Sequence, residues 1–171
     1  VQLGEFPDAI THNGRNLKMT VDESVDQIAA VVERAVGAGV PVEAILATSF
    51  GCPYEGRIEP AAVAAVAARL RDRGVSTFSF ADTTGMATPP TVVALLDELA
   101  GGGWPADRVA LHLHNTRGTG LANLVVAAQR GVARFDASVG GLGGCPFAPG
   151  ATGNVPTEDV VHLLDALGMA T

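Results

Sequence analysis

Along this chain the apolar positions alternate between two rhythms, helical stripes and short continuous runs, and each change of rhythm is marked by Gly, Pro or a capping residue. "TVDES" is a capping box, Thr20 with Glu23 three residues on, and it opens a helix whose stripe is Val25, Ile28, Val32 and Val36. "GAG" stops it. "VEAILAT" (Val42–Thr48) reads as a short buried strand, followed by the loop "SFGCPYEGRIE". Pro60 suits a helix start, and Val63, Val66 and Leu70 make an inward stripe that ends by Gly74. "STFSFAD" is the next strand, and Thr88-Pro89-Pro90 begins a helix running through Leu99. "RVALHLH" is a third strand, with a helix from about Thr119 to Arg130. "ARFDASV" is a fourth strand, then comes a glycine-rich loop, and then a last helix capped by Thr157.

The strand ends near Thr48, Phe80, His114 and Val139 recur at about 25–35 residues, the length of one βα unit. Repeated βα units predict a parallel sheet, doubly wound or closed into a barrel. No "GxGxxG" follows a first strand, which counts against a dinucleotide fold. Asp82, His112, His114, Cys145 and Asn154 all fall at or just after strand C-terminal ends, contributed by several successive strands. A (βα)8 barrel gathers its polar groups that way, whereas an open sheet collects them at one switch point. The expectation is an α/β fold, a partial TIM (βα)8 barrel comprising its last four to five βα units, forming a single incomplete domain over residues 1–171. The sequence opens at "VQLGEFPDAI" without an initiator Met, so the N-terminal strands are expected to lie outside it.

Composition narrows the partners. With 171 residues and 47% apolar content the chain can bury a core, and scarce aromatics leave that core to Ala, Val and Leu. A net charge of −7 at pH 7 argues against nucleic acid or an anionic membrane. No apolar run approaches the roughly 20 residues of a membrane span. Lys18 is the single lysine, so Schiff-base chemistry has one position at most. Two cysteines do not make a disulfide framework, and a reducing, cytoplasmic setting is expected.

His112 and His114 stand two apart on a strand, so both rings face the same side, at the barrel mouth. Such a pair is either a set of metal ligands or a hydrogen-bonded pair that shapes the pocket. Asn154 offers a hard amide oxygen, or is simply a turn residue after glycine. Two imidazoles and an amide leave a divalent ion uncompensated, so a carboxylate is expected, from Asp82 or from outside these residues. His-plus-oxygen donors favour Mg²⁺ or Mn²⁺. Asp82 projects from a strand end, where it acts on substrate or caps the turn "DTTG". "GGLGGCPFAPGATGN" (Gly140–Asn154) has six glycines and two prolines, so it is a loop, and Cys145 in its middle can be carried over a substrate as a proton donor. Cys52 reads better as a small core residue. Glu55 and Arg57 lie in a loop on the same face. His12 and His162 look uninvolved.

"GLGGCPFAPGATGN" followed by "TEDVVHLLDALG" closely resembles the 3-hydroxy-3-methylglutaryl-CoA lyase family, within the TIM-barrel metallolyase superfamily. "GCPYEGRIEP", "FADTTGMATP" and "LHLHNTRGTGLAN" match it in the same order. The resemblance implies a divalent cation, Mg²⁺ or Mn²⁺, held by His112, His114 and Asn154 together with an aspartate near the family's first strand. It implies catalytic roles for Cys145 and Asp82, with Asp82 or His112 relaying the first proton and Cys145 protonating an enolate. The implied reaction is retro-Claisen cleavage of the acyl-CoA to acetoacetate and acetyl-CoA, as in leucine degradation and ketone-body formation, with a homodimer as the assembly. One departure stands out: the family's His-Asp-Thr-aromatic is here His114-Asn115-Thr116-Arg117. Arg117 is therefore a candidate for binding a substrate carboxylate or a CoA phosphate, with Glu55 a second substrate contact. The family's first three strands, with an Arg-Asp pair, have no counterpart here, so this portion alone is expected to be inactive. Competing readings are a Claisen-type synthase of the same superfamily, a metal-dependent amidohydrolase, and an inactive half-barrel that serves as an interaction module.

Overall fold

The computed structural model of the chain describes Gly14, residues 17–144 and residues 152–171. His12 and Cys145 therefore lie outside the described residues. The elements are α1 (Val21–Gly37), β1 (Glu43–Leu46), β2 (Gly51–Cys52), β3 (Gly56–Arg57), α2 (Pro60–Arg71), β4 (Thr77–Ala81), α3 (Pro89–Gly101), β5 (Val109–His112), α4 (Gly120–Gln129), β6 (Arg134–Asp136) and α5 (Thr157–Ala166). The Thr20 box is formed as expected: the Glu23 N–H donates to Thr20 Oγ1 at 3.2 Å and the Thr20 N–H to Glu23 Oε2 at 2.8 Å. Pro60 and Pro89 sit in the first turns of α2 and α3, where the missing N–H costs nothing. At α5 the cap is one residue earlier than expected: Pro156 holds the N-cap position and Thr157 is the first helical residue.

The main sheet has the order β1-β4-β5-β6, with every pairing parallel. Strand order follows chain order with no reversal, which is the winding of a barrel segment rather than of a doubly wound sheet. A separate two-stranded antiparallel hairpin, β2–β3, occupies the β1–α2 connection.

Register divides the side chains between two faces. Ala44, Phe78 and Val109 align across the strands, as do Leu46, Phe80 and Leu111. All six are buried with Val63, Val66, Leu70, Val92, Leu95, Leu99, Leu124 and Ala127 from α2, α3 and α4. Phe78 also packs edge-on against Trp104, with ring centroids 4.7 Å apart. This helix-covered face is the core. The opposite face aligns Ile45, Ser79, Ala110 and Arg134 in one row, and Ala81, His112 and Asp136 in the next. That face is mostly polar. Along it Arg134 reaches Glu43 at 2.6 Å, linking the two outer strands of the sheet.

The strand ends are locked to one another. Thr48, in the left-handed region at φ 53°, donates its N–H to Thr83 Oγ1, and Thr84 Oγ1 donates to the Gly51 carbonyl. Gly120, the first residue of α4, lies so near the end of β5 that a Cβ there would stand 2.5 Å from Val155 Cγ1 and 2.9 Å from the His114 carbonyl. Replacing Gly120 with Ala is therefore expected to destabilise the fold by about 1–3 kcal/mol through overpacking. Urea denaturation measures it, and a cost below about 0.5 kcal/mol would contradict this packing.

Candidate active site

The site is built where β4 and β5 end and the chain after the glycine-rich loop returns. His112 closes β5 and His114 follows two residues later, so both rings lie on the polar face. Their Nε2 atoms are 3.3 Å apart. The expectation that the two imidazoles share one side is met.

Each ring is held by its other nitrogen. His114 Nδ1 lies 3.1 Å from the Thr152 carbonyl, a group that only accepts, so Nδ1 carries the proton. His112 Nδ1 lies 3.4 Å from Asp136 Oδ2. The hydrogen bond from His112, helped by that from Ser79, holds the Asp136 carboxyl below the usual carboxylate range, so this acceptor too is ionised and accepts. Burial, then the neighbouring His112, push the His114 pKa down, so the ring is neutral. The two Nε2 atoms consequently face each other at 3.3 Å, a contact that one proton or cation shared between them satisfies.

Asn154 joins them through the backbone. The segment Gly153–Val155 runs between the ends of β5 and β6. The Asn115 N–H donates to the Gly153 carbonyl, the Val155 N–H to Leu113, and the Ser138 N–H to Val155. Asn154 forms a bridge pair with His114. Its Nδ2 donates to the Leu142 carbonyl at 2.8 Å, while Oδ1 is buried with no hydrogen-bond partner among the described residues. A buried, unpaired amide oxygen is costly unless a ligand takes it. Two imidazole nitrogens and this oxygen fit a divalent cation of the Mg²⁺ or Mn²⁺ kind in donor type. Among the described residues no three His, Cys, Asp and Glu side chains gather as a metal cluster, Asp82 included.

Asp82, only 1% exposed, stands beside this group, its N–H donating to the His112 carbonyl at 2.8 Å. The expectation that it caps the turn is met. Oδ1 caps the following turn, accepting from the Met86 and Ala87 N–H groups at 2.7 and 2.9 Å. Oδ2 is buried and has no hydrogen-bond partner among the described residues. Burial pushes the carboxyl up to about 7, against the opposing pull of those N–H groups, Arg117 and His112. The turn itself is clamped from the next unit. Arg117 donates to the Thr84 and Gly85 carbonyls, both at 2.8 Å, while Thr119 Oγ1 and Asn123 Nδ2 donate to Ala87. Arg117 thus spends Nη1 on backbone. Glu55 sits exposed in the β2–β3 turn, and Cys52 is fully buried, as a core residue should be. Asp136 and Asn123 were not singled out from sequence. Asp136 is the last residue of β6, and only the β5–β6 register brings it to His112.

The HMGL-like family model matches residues 7–171. The chain belongs to the HMGL-like family. The hydroxymethylglutaryl-CoA lyase YngG of Bacillus subtilis (strain 168) is 43% identical over 161 residues, 94% of this chain and 54% of that protein. The (R)-citramalyl-CoA lyase of Chloroflexus aurantiacus is 43% identical over 163 residues, 93% of this chain and 50% of that protein. A solved HMG-CoA lyase from Acinetobacter baumannii, in complex with coenzyme A and 3-methylmalate, superposes with a TM-score of 0.91 at 40% identity. That match covers 98% of this chain and 54% of the other. The chain spans about half the length of the curated relatives it matches, and its parallel βα arrangement is that of part of the family's TIM barrel. Among the described residues no helix is long and apolar enough to cross a membrane.

The raised Asp82 pKa sets a pH signature. An unfolded Asp loses its proton near 3.9 and the folded one near 7. The folded state therefore binds the extra proton in that window, and this group's contribution to stability falls as pH rises from about 4 to about 7. His114, with its lowered pKa, acts in the opposite sense just below its ordinary value, and so does equally with or without Asp82 ionisation. Asp82→Asn keeps an oxygen for the two N–H groups and cannot ionise. Its stability relative to the parent should rise by up to about 4 kcal/mol between pH 4 and pH 7, at about 1.4 kcal/mol per pKa unit. Urea midpoints across that range test it, and a pH-independent difference would show that Asp82 titrates normally.

Proposed function

We propose that the complete protein is a divalent-metal-dependent carbon–carbon lyase that cleaves 3-hydroxy-3-methylglutaryl-CoA, or a close 3-hydroxy-3-alkylglutaryl-CoA, to acetoacetate and acetyl-CoA or their homologues. The observation that carries this reading is the pair of Nε2 atoms 3.3 Å apart on one face, beside a buried amide oxygen that has no hydrogen-bond partner among the described residues. His112, His114 and Asn154 would hold the ion. A divalent cation bound there supplies Lewis-acid polarisation of hydroxyl and carboxylate oxygens.

The chain's own residues do the rest. Asp82 Oδ2 is the free corner of a carboxyl with a pKa of about 7, suited to taking a hydroxyl proton near neutral pH. Its Oδ1, fixed by two N–H groups, keeps it aimed. Loss of that proton lets the electrons of the O–H bond form the new ketone while the C–C bond breaks and its pair passes to the carbon alpha to the thioester, as the thioester enolate. Cys145 returns a proton to that carbon, giving acetyl-CoA. Arg117, anchored through Nη1, contributes a fixed positive charge at the mouth for a carboxylate or phosphate of the acyl-CoA. A relative named (R)-citramalyl-CoA lyase, as similar as YngG, makes citramalyl-CoA the competing substrate.

Protein from the complete reading frame, incubated with 3-hydroxy-3-methylglutaryl-CoA and Mg²⁺ or Mn²⁺, should release acetoacetate, and excess chelator should stop it. Cleavage untouched by chelation, or faster cleavage of citramalyl-CoA, would overturn the metal or the substrate part of the reading respectively. Cys145→Ala should lower kcat by about two orders of magnitude or more with metal affinity nearly intact. Unchanged turnover would reduce Cys145 to a loop residue.

A further inference from the structure

We propose that Asp136, braced by Ser79, is the positioning residue of His112, setting which ring nitrogen is free and where it points. This rests on the metal reading of the same site. Asp136 Oδ2 lies 3.4 Å from His112 Nδ1 and accepts from Ser79 Oγ at 2.9 Å. Ser79 is on β4 and Asp136 on β6, with β5 between them, so the two side chains must meet across the middle strand. They can do so because the β5 residue in register with Ser79 is Ala110, whose methyl leaves the space above it open. A larger side chain there would separate them.

The geometry gives each group one job. An acceptor at Nδ1 fixes the proton on that nitrogen and leaves the Nε2 pair toward His114. Carboxylate partners do this for metal-bound imidazoles generally. Ser79, 1% exposed, donates to the same carboxylate oxygen that faces the ring. The nearest cation along the face, Arg134, is already bonded to Glu43 at 2.6 Å, so the Asp136 oxygen stays available to the ring. His114 has no carboxylate of this kind; its Nδ1 faces the Thr152 carbonyl. The two ligands are thus held unequally, His112 by a charge and His114 by a peptide dipole.

The test uses protein from the complete reading frame with ¹⁵N-labelled histidine, and Mn²⁺ as probe. In the parent, long-range ¹⁵N–¹H spectra should show His112 protonated at Nδ1. Asp136→Ala should abolish that single tautomer and weaken Mn²⁺ binding by about 10–100-fold, measured from free Mn²⁺ by electron paramagnetic resonance. Ser79→Ala should keep the tautomer and weaken binding by about threefold or more, a smaller share of the same effect. A parent ring protonated at Nε2, or Asp136→Ala with unchanged ring signals and Mn²⁺ affinity within twofold, overturns the assignment. Should Asp136→Ala fail to fold by circular dichroism, Ser79→Ala decides, and unchanged affinity there overturns it. A parent that binds no Mn²⁺ defeats the metal reading alone, because the ring signals still report whether Asp136 holds His112.

Discussion

Two imidazoles whose outer nitrogens both face acceptors turn their remaining nitrogens toward each other, and here those Nε2 atoms lie 3.3 Å apart. That contact is satisfied by one proton or cation shared between the rings, and the fold imposes it from three directions. β5 puts both rings on one face by its two-residue period. β6 supplies the acceptor for one ring, and the returning chain at Thr152 supplies the other. Three separate elements thus hold the two rings with one nitrogen of each directed at the other.

The sheet makes this possible by dividing its labour between faces. Phe78, Phe80, Leu111 and their neighbours bury the helix side, at roughly 25 cal/mol per Å² of apolar surface. That burial fixes the strand register, because a slip of one residue would turn the phenylalanines out and the histidines in. Once register is fixed by hydrophobic packing, the polar row Ala81, His112 and Asp136 is aligned as a consequence. The polar face is therefore specified by the opposite one.

What could be read from sequence follows the same division. The Thr20 capping box, the proline starts of α2 and α3, and the four core strands are written in local periodicity and local hydrogen bonding, and the structure reproduces them within a few residues. The shared side of His112 and His114 needs only the two-residue period of a strand. Asp136 was not legible, because its meaning depends on cross-strand register and on Ala110 being small, neither of which is a property of its own neighbourhood. The β2–β3 hairpin escaped for a different reason, since two-residue strands carry no periodic signal. The capping position at α5 was missed by one residue because Thr157 is a better intrinsic cap than Pro156, and the return strand, not the cap, sets where that helix starts.

Asp82 shows why structural and chemical readings of one residue need not compete. A carboxyl that only capped a turn would be served by both oxygens, and one that only met substrate would not need two backbone N–H groups. Here Oδ1 takes the N–H groups and Oδ2 takes nothing, in a buried setting that pushes the pKa to about 7. The cap fixes the carboxyl in place, because the two N–H groups hold Oδ1 while Oδ2 stays in the buried setting. The clamp from Arg117, Thr119 and Asn123 extends the argument one step outward. These three bond to carbonyls of the same turn, so the turn cannot shift without breaking contacts to the unit that carries His114. Arg117 stands where the resemblance leads one to expect an aromatic side chain. In exchange for that ring's packing it supplies directional bonds and a positive charge facing the carboxyl, and it ties the position of Asp82 to the position of the histidine pair.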